Sequence, residues 1–409
     1  EKKGRIAEMW KYLIAMLCAL GVLVHRPLWD ISRLWRRVRN AYYTSLLRQA
    51  GYAPIAGGAK PRLEPHPTAI TWAASGSINL ELAPKPYTIT RILLVTQLNV
   101  TTTTVTHFND PYERVISRLA LDGGGKTLFN FTNMRSAYHM GRFMGYQARR
   151  PQPVAGSLTS VVQQFATVLH LGVAPWKVHP QTGMLLPNPY DLTAGIPPSG
   201  AGNLTLTGTF GAAAAMGTNV TINSGTVWVY LQGVQPEPGD PPAAYMPMAI
   251  PSWSMVTPSI TATSGAGADG SNVPAGDFLH SILLMATNGT NAPRDDSVLN
   301  SLELFQQAEN RSIIKYGGQT GVIGEMKAAE ILSQNDMLNR VPTDDVTTAM
   351  TAIASGGTPA TLSINAGPSD SGLFWLPVHQ HAWKGHPLYG IDMRSVAEGV
   401  LRLKYGISD

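Results

Sequence analysis

Residues 174–180 are APWKVHP and residues 381–387 are HAWKGHP, so the order Trp-Lys-x-His-Pro occurs twice in the chain. Only 9 Trp and 10 His are present in 409 residues, so a duplication explains the two words better than chance does. Internal repeats determine a whole architecture, and a true duplication predicts that further segments recur around each word in the same order.

Matching segments do flank both words. ITRILLVTQLNVTTTTVTHFNDPYERVISRLAL begins at residue 89 and LHSILLMATNGTNAPRDDSVLNSLEL begins at residue 279, and each contains an apolar strand, a polar loop and a second strand. After the two words come GNLTLTG at 202–208 and GVLRLKYG at 399–406, in which Leu alternates with polar residues, as in a β-strand. Because the elements keep their order while the loops differ in length, the sequence predicts two copies of one domain of ordinary size.

The composition predicts an all-β fold. Short alternating segments rich in Thr and Val are separated by turn residues, which favours two tandem jelly-roll β-sandwich domains over alternating βα units. We predict the first jelly roll at residues 65–234, a linker with five prolines at 235–248, and the second jelly roll at 249–409. A short helical insertion is predicted in each copy, at 133–150 and 324–340.

The first fifty residues belong to neither copy. They contain ten Lys or Arg and three Asp or Glu, a net charge of +7, whereas the whole chain carries +5. We predict a helical tail at 1–50, followed by a linker at 51–64, and the tail holds an apolar run at 12–24 and a basic amphipathic helix at 28–47. As a helix the apolar run would be about 20 Å long, shorter than the roughly 30 Å hydrocarbon core of a bilayer.

The amphipathic helix has the composition of an interfacial membrane segment, with aromatic residues on one side and arginines on the other. Burial against a protein neighbour and contact with nucleic acid are the alternatives, and a signal peptide is a third, although arginines rather than a small-residue cleavage site follow the apolar run. The residues expected to contact a membrane or an inner surface are Trp10, Leu13, Leu17, Leu20, Trp29, Arg33, Trp35, Arg36, Arg37 and Arg39.

Residues 120–127, ALDGGGKT, satisfy a permissive phosphate-loop pattern with Ala in the first Gly position. A phosphate loop must lead into a helix whose N-terminus faces the phosphates, but the alternating segment LFNFT follows here. Residues 122–125 are therefore predicted to form a hairpin turn. We expect no catalytic residues, no cofactor site and no enzymatic activity.

Histidines 379, 381 and 386 are weak metal candidates. His379 and His381 would lie on one face of a strand, but neither a Cys nor a carboxylate accompanies His379, His381 and His386, so a structural role is preferred. Acidic loops at 269–272, 294–296 and 343–345 could hold a structural calcium ion at a subunit contact, although such loops are more often only solvated.

The repeated word supplies four positions that we interpret as structural, namely Trp176, His179, Trp383 and His386. Cys18 is the only cysteine, which excludes a disulfide within the chain and a zinc site built from cysteines.

The chain also resembles a known family. LELAPKPYTITRILLVTQLNV at 80–100, the paired strands after it, a mid-domain helix and QFATVLHLGV at 164–173 are similar to the coat domain of double jelly-roll major capsid proteins. These proteins occur in tailless icosahedral phages with an internal membrane, of the corticovirus and tectivirus kind. The resemblance extends over about residues 65–409 and rests on the order of the elements rather than on an invariant motif.

The resemblance implies a homotrimer of two-barrel subunits that forms a pseudo-hexagonal capsomer of an icosahedral virion. The tail would lie on the inner side, facing the membrane lipid, and the partners would be further copies of the chain with minor capsid and vertex proteins. Direct binding of nucleic acid is not expected. The alternative from another class is a secreted or membrane-tethered carbohydrate-binding protein, because jelly rolls also form lectins. A tandem-barrel hydrolase is disfavoured because no pair of carboxylates recurs in the two copies.

Overall fold

The computed structural model describes residues 60–108, 110–143, 157–172, 176–178, 185–187, 192, 194–198, 203–235, 247, 250–253, 255, 271–274, 277–287, 295–317, 322, 324–326, 349–353, 359–364, 372–376, 378, 385–386, 390–394 and 401–407. The elements of the first half are β1 (Lys60–Pro65), β2 (Ile70–Thr71), β3 (Ser77–Leu82), β4 (Thr88–His107), β5 (Ile116–Gly123), β6 (Lys126–Phe131), α1 (Met134–Phe143), β7 (Leu158–His170), β8 (Trp176–Val178), β9 (Leu185–Pro187), β10 (Leu204–Phe210) and β11 (Gly217–Gln235). Those of the second half are β12 (Ser271–Asn272), β13 (Phe278–Leu279), β14 (Ile282–Met285), β15 (Leu299–Gln306), β16 (Arg311–Tyr316), β17 (Ala349–Ile353), β18 (Pro359–Ile364), β19 (Leu373–Leu376), β20 (Gly385–His386), β21 (Gly390–Asp392) and β22 (Leu401–Ile407).

Eight strands of the first half pair as a folded-over long hairpin. The first sheet has the order β1-β11-β4-β7 and the second sheet has the order β3-β10-β5-β6, and every pairing within them is antiparallel. In chain order, the first of the eight strands pairs with the last, the second with the seventh, the third with the sixth and the fourth with the fifth. This is the strand arrangement of a jelly roll, a sandwich of two sheets.

Strand β4 shows why these residues form a sandwich. Ile92, Leu94, Leu98 and Val100 are buried, while every second residue between them is only half-buried. The inward side chains of the first sheet pack on those of the second sheet, including Leu119, to form the core. The period of two therefore directs one face of each strand inward.

The described strands of the second half repeat part of this topology. Its main sheet has the order β12-β22-β15-β16, which corresponds to β3-β10-β5-β6 in the first half. Likewise β14 pairs with β19 as β4 pairs with β7. A short 3₁₀ turn precedes the matched strands β5 and β15, at Tyr112–Val115 and Asp296–Val298. A separate hydrophobic core, which includes Leu302, Phe374 and Ile391, lies between these strands. The duplication and the all-β class predicted from the repeated word are confirmed.

The predicted hairpin turn at residues 122–125 is also confirmed. Strand β5 leads through Gly124 and Gly125, whose φ angles are 58° and 75°, directly into β6. No helix follows the glycines, because α1 begins only after β6. The stretch therefore lacks the strand-loop-helix geometry of a phosphate loop.

The first strand begins earlier than the sequence suggests. β1 starts at Lys60, inside the predicted linker, and pairs only with β11, so it is an edge strand. Its sequence KPRLEP contains two prolines, which conceal a strand in the sequence pattern but are tolerated at a sheet edge. The predicted domain and linker boundaries themselves stay predictions.

Helix α1 lies within the first predicted helical insertion and is capped by Asn133, whose Oδ1 accepts the backbone N–H of Ser136 at 3.1 Å. Of the second predicted insertion, residues 324–326 are helical. In the described part of the chain, which begins at residue 60, no helix has the length and apolarity needed to cross a membrane.

Candidate assembly surfaces and buried polar cluster

The two outer faces of the first jelly roll differ in chemistry. On the first sheet, the outward positions 93–99 of β4, 162–168 of β7 and 224–232 of β11 contain no Asp, Glu, Lys or Arg. On the second sheet, Glu81, Arg118, Asp122 and Lys126 lie outside the core among many Thr residues. The second sheet thus carries charges on its outward positions, whereas these stretches of β4, β7 and β11 carry none.

The uncharged face has an apolar centre, and we call it the apolar outer face. Tyr230 of β11 lies opposite Leu93 of β4, and Trp228 lies opposite Val95. On the other side of β4, Val95 lies opposite Ala166. Val162 on the edge strand β7 and Leu63 of β1 are each 56% exposed, the largest values among the large hydrophobic residues described. The face consists of Leu63, Leu93, Val95, Val162, Ala166, Trp228 and Tyr230.

The polar residues at one end of this face are paired with each other. Gln164 Nε2 donates to Gln97 Oε1 at 2.6 Å, and Asn223 Nδ2 donates to Asn99 Oδ1 at 3.3 Å. Because these amides already hydrogen-bond to each other, fewer hydrogen bonds to water would be lost if a partner buried them.

At the opposite end the outward positions are fully covered. Arg91 is 4% exposed and His170, its partner across the two strands, is 0% exposed. Burial lowers the pKa of His170 to about 3, and the nearby positive charge of Arg91 acts in the same direction. His170 is consequently neutral at physiological pH.

A cluster of buried charged residues joins α1 to the end of the barrel. Arg135 Nε donates to Asp110 Oδ2 at 3.2 Å, and His139 Nε2 lies 3.1 Å from the same oxygen. Glu113 and Arg114 lie on the adjoining 3₁₀ turn, and burial lowers the pKa of Arg114 to about 10. His139 is 0% exposed, so a substrate in solution does not reach this His–Asp pair, and the cluster holds the helix in place instead.

This cluster was not predicted from the sequence. The pattern that could have revealed it is the spacing of Arg135 and His139, four residues apart and hence on one face of a helix, after an Asp in a turn. The pairing with Asp110 depends on a distant contact that no local pattern contains.

Trp253 connects the two halves of the chain. Its backbone N–H donates to Leu128 O at 2.8 Å, and its ring meets Phe131 edge-to-face with centroids 5.4 Å apart. The same ring packs on the cores of both halves, and Met140 of α1 also packs on the second core. β18 of the second half adds a short parallel pairing to the end of β4. The joint was also missed by sequence reasoning.

Several predicted site residues lie outside the described part of the chain. They are the ten tail residues from Trp10 to Arg39, His179, His379, His381, Trp383, and the acidic loops at 269–270 and 343–345. Trp176 begins strand β8 and His386 ends β20, and these placements concern the backbone. The roles assigned to these residues therefore stay predictions.

The acidic loop at 294–296 is described in part. Asp295 Oδ1 accepts the backbone N–H of Ser297 at 2.8 Å and caps the 3₁₀ turn before β15, and this hydrogen bond lowers the pKa of Asp295. Among the residues whose side chains are described, no group of three or more His, Cys, Asp or Glu is placed to hold a metal ion.

The chain is similar in structure to several solved proteins. No family model matches the chain, and no curated protein matches it. The crystal structure of the STIV MCP has a TM-score of 0.53 and 12% identity, with 86% of this chain and 93% of that chain covered. The atomic structure of Sulfolobus turreted icosahedral virus gives a TM-score of 0.50 at 13% identity, with coverage of 85% and 87%.

A third solved structure is less similar. The major capsid protein P2 from bacteriophage PM2 has a TM-score of 0.43 and 11% identity, with coverage of 85% of this chain and 91% of that one. The first two likenesses extend over both halves of the chain, and they show that it has their fold, the double jelly roll expected from the duplicated sequence.

Proposed function

We propose that this chain is the major capsid protein of an icosahedral virus and acts by geometry rather than by chemistry. The observation that carries this proposal is the two-barrel fold shared with the STIV MCP along 86% of the chain. A low content of charged residues, 14%, suits a protein with extensive polar contacts between subunits.

The assembly unit that fits this architecture is a homotrimer. Two similar barrels in each chain, repeated around a threefold axis, give six similar barrels, so one kind of subunit occupies a lattice position with six neighbours. Minor capsid and vertex proteins would complete the shell where its symmetry changes. We further propose a tailless phage with an internal membrane, by analogy with the family that the sequence resembles.

The tail at residues 1–50 would face the inside of the shell and contact membrane lipid. Its charge of +7 and its aromatic residues support this role. In vesicle co-sedimentation we expect binding to anionic vesicles that is lost in high salt and absent with neutral vesicles. Equal binding to short duplex DNA would contradict the lipid assignment.

Light scattering combined with electron microscopy of the purified chain tests the main proposal. We expect a particle with three times the mass of one chain, a threefold outline with six lobes, and larger shells at high concentration. A monomer at all concentrations that binds a glycan array would refute the capsid role and support the carbohydrate-binding alternative.

A further inference from the structure

We infer that the apolar outer face of the first jelly roll is a contact between copies of this chain, and this inference rests on the proposed capsid function. The face is formed by Leu63, Leu93, Val95, Val162, Trp228 and Tyr230 with Ala166 between them. Its occupant is a neighbouring subunit.

The apolar outer face differs in charge from the other outer face of the same barrel. Over three strands, its outward positions contain no charged residue, whereas the outer face of the second sheet carries Glu81, Arg118, Asp122 and Lys126. Both faces belong to one barrel, so the difference is not a property of the composition as a whole. Depletion of charge together with enrichment in Trp and Tyr distinguishes the centre of a protein interface from ordinary surface.

The apolar outer face is large enough to form much of a stable interface. Four strands at about 4.8 Å spacing and seven residues along each strand give a surface of roughly 19 Å by 23 Å. This is on the order of 450 Å², more than half of the roughly 800 Å² that each partner buries in a stable interface. Within the single chain, Leu93, Val95, Trp228 and Tyr230 are half-buried and Leu63 and Val162 are exposed, so a neighbour would complete their burial.

The two halves of the chain contact each other through other residues. The joint between the two halves uses Trp253, Leu128 and Phe131 beside the second sheet, Met140 of α1, and the short pairing of β18 with the last residues of β4. In the described part of the chain, none of these contacts is made by a residue of the apolar outer face. A patch carried by every subunit also requires a partner present in equal number, and another copy of the chain meets that requirement.

The contact is heterologous if the assembly is a trimer. In a closed threefold ring, each subunit presents one surface to the next subunit and a different surface to the previous one. The apolar outer face would therefore pack on a second surface of its neighbour rather than on its own copy.

Protection from cysteine labelling tests this inference without disturbing the contact. In a Cys18→Ser background, which removes the only native cysteine, Val162→Cys places a thiol on the apolar outer face. Asn79→Cys is the matched control, because it is also exposed and also lies on an edge strand, but of the second sheet. Labelling by a maleimide is followed in the assembled protein and in protein diluted until light scattering shows monomers.

We expect assembly to slow the labelling of Val162→Cys at least tenfold and that of Asn79→Cys less than twofold. Equal protection of both thiols, or of neither, would overturn the inference while leaving the capsid proposal intact. Protection of Val162→Cys already in the monomer would assign the face to another segment of the same chain, and would also overturn it. A protein that never assembles would fail the capsid proposal itself.

A substitution gives an independent readout. Val95→Lys puts a charge at the centre of the face, and Thr207→Lys puts the same charge at the centre of the second sheet, where Thr207 pairs with Asn79 and Ala120. We expect Val95→Lys to raise the concentration at which half the protein is assembled at least tenfold, at an unchanged circular dichroism spectrum, and Thr207→Lys to leave it within twofold. Assembly of Val95→Lys at the concentration of the unaltered chain would contradict the inference.

Discussion

Single buried polar residues have roles in the first jelly roll that depend on distant contacts. Asp110 accepts hydrogen bonds at the barrel end, and His170 is enclosed beside Arg91. None of these roles was predictable from the sequence, because a histidine or an aspartate in a loop or strand has no local pattern that reports burial. What decides the role is the set of distant side chains around it.

The depressed pKa of His170 predicts an acid-dependent loss of stability. In the unfolded chain this histidine binds a proton below about pH 6.5, whereas in the folded chain it remains neutral down to about pH 3. The unfolded state therefore gains protons first, and the free energy of unfolding falls as the pH decreases through this window. Between pH 7.5 and pH 5 this one group should contribute a loss of about 2 kcal/mol.

Urea unfolding of His170→Gln and the unaltered chain at several pH values measures this contribution. Groups other than His170 titrate in both proteins, so their contributions cancel in the comparison. We expect the free energy of unfolding of the variant to fall by about 2 kcal/mol less than that of the unaltered chain between pH 7.5 and pH 5. Parallel stability curves for the two proteins would show that His170 is protonated in the fold.

Among the elements, strands with alternating apolar residues were predictable from the sequence, whereas β1, which contains two prolines, was not. The apolar run within β4 was recognised because its inward positions are Ile, Leu and Val. β11 alternates apolar and polar residues clearly only over its last part, residues 226–234, because its first part is rich in Thr, Asn and Ser. Its pairing with β4 along the full length supplies the order that local propensity does not.

Two glycines in these elements are required for different reasons. Gly125 has a φ of 75° and open space around the position of a Cβ, whereas a Cβ on Gly208 would lie 2.3 Å from Arg118 O of the paired strand β5. Gly125→Ala should therefore lower the free energy of unfolding by only about 1 kcal/mol, the cost of holding Ala in the left-handed conformation. Gly208→Ala should cost about 2 kcal/mol because the central strands of the second sheet must separate.

Equilibrium unfolding in urea measures the loss in the free energy of unfolding for each variant. Gly125→Asn is the matched control, since Asn tolerates the left-handed region and should cost less than Gly125→Ala. A loss for Gly125→Ala as large as that for Gly208→Ala would mean that the turn is held by contacts rather than by backbone conformation.

At the scale of the whole molecule, the duplicated word and its flanking segments predicted the architecture because order along the chain is preserved in a duplication. The joint between the halves was not predictable in the same way. A repeat pattern does not predict Trp253, since this residue serves the contact between the two copies.

Removal of this ring should uncouple the two halves. We expect Trp253→Ala to lower the free energy of unfolding by about 2 kcal/mol, less than for a fully buried Trp, and to split the calorimetric transition into two. Ile250→Ala is the control, because Ile250 lies three residues away and is 49% exposed. A single transition at the original temperature in Trp253→Ala would show that the coupling lies elsewhere.

The great length of β4 gives the first jelly roll a preferred mechanical direction. Its twenty residues extend over about 66 Å and are hydrogen-bonded to β11 on one side and to β7 on the other. These bonds run perpendicular to the strands, so a force along the strand axis loads many of them in shear at once. A force across the sheet instead opens them one after another, and the barrel is therefore stiffest along β4.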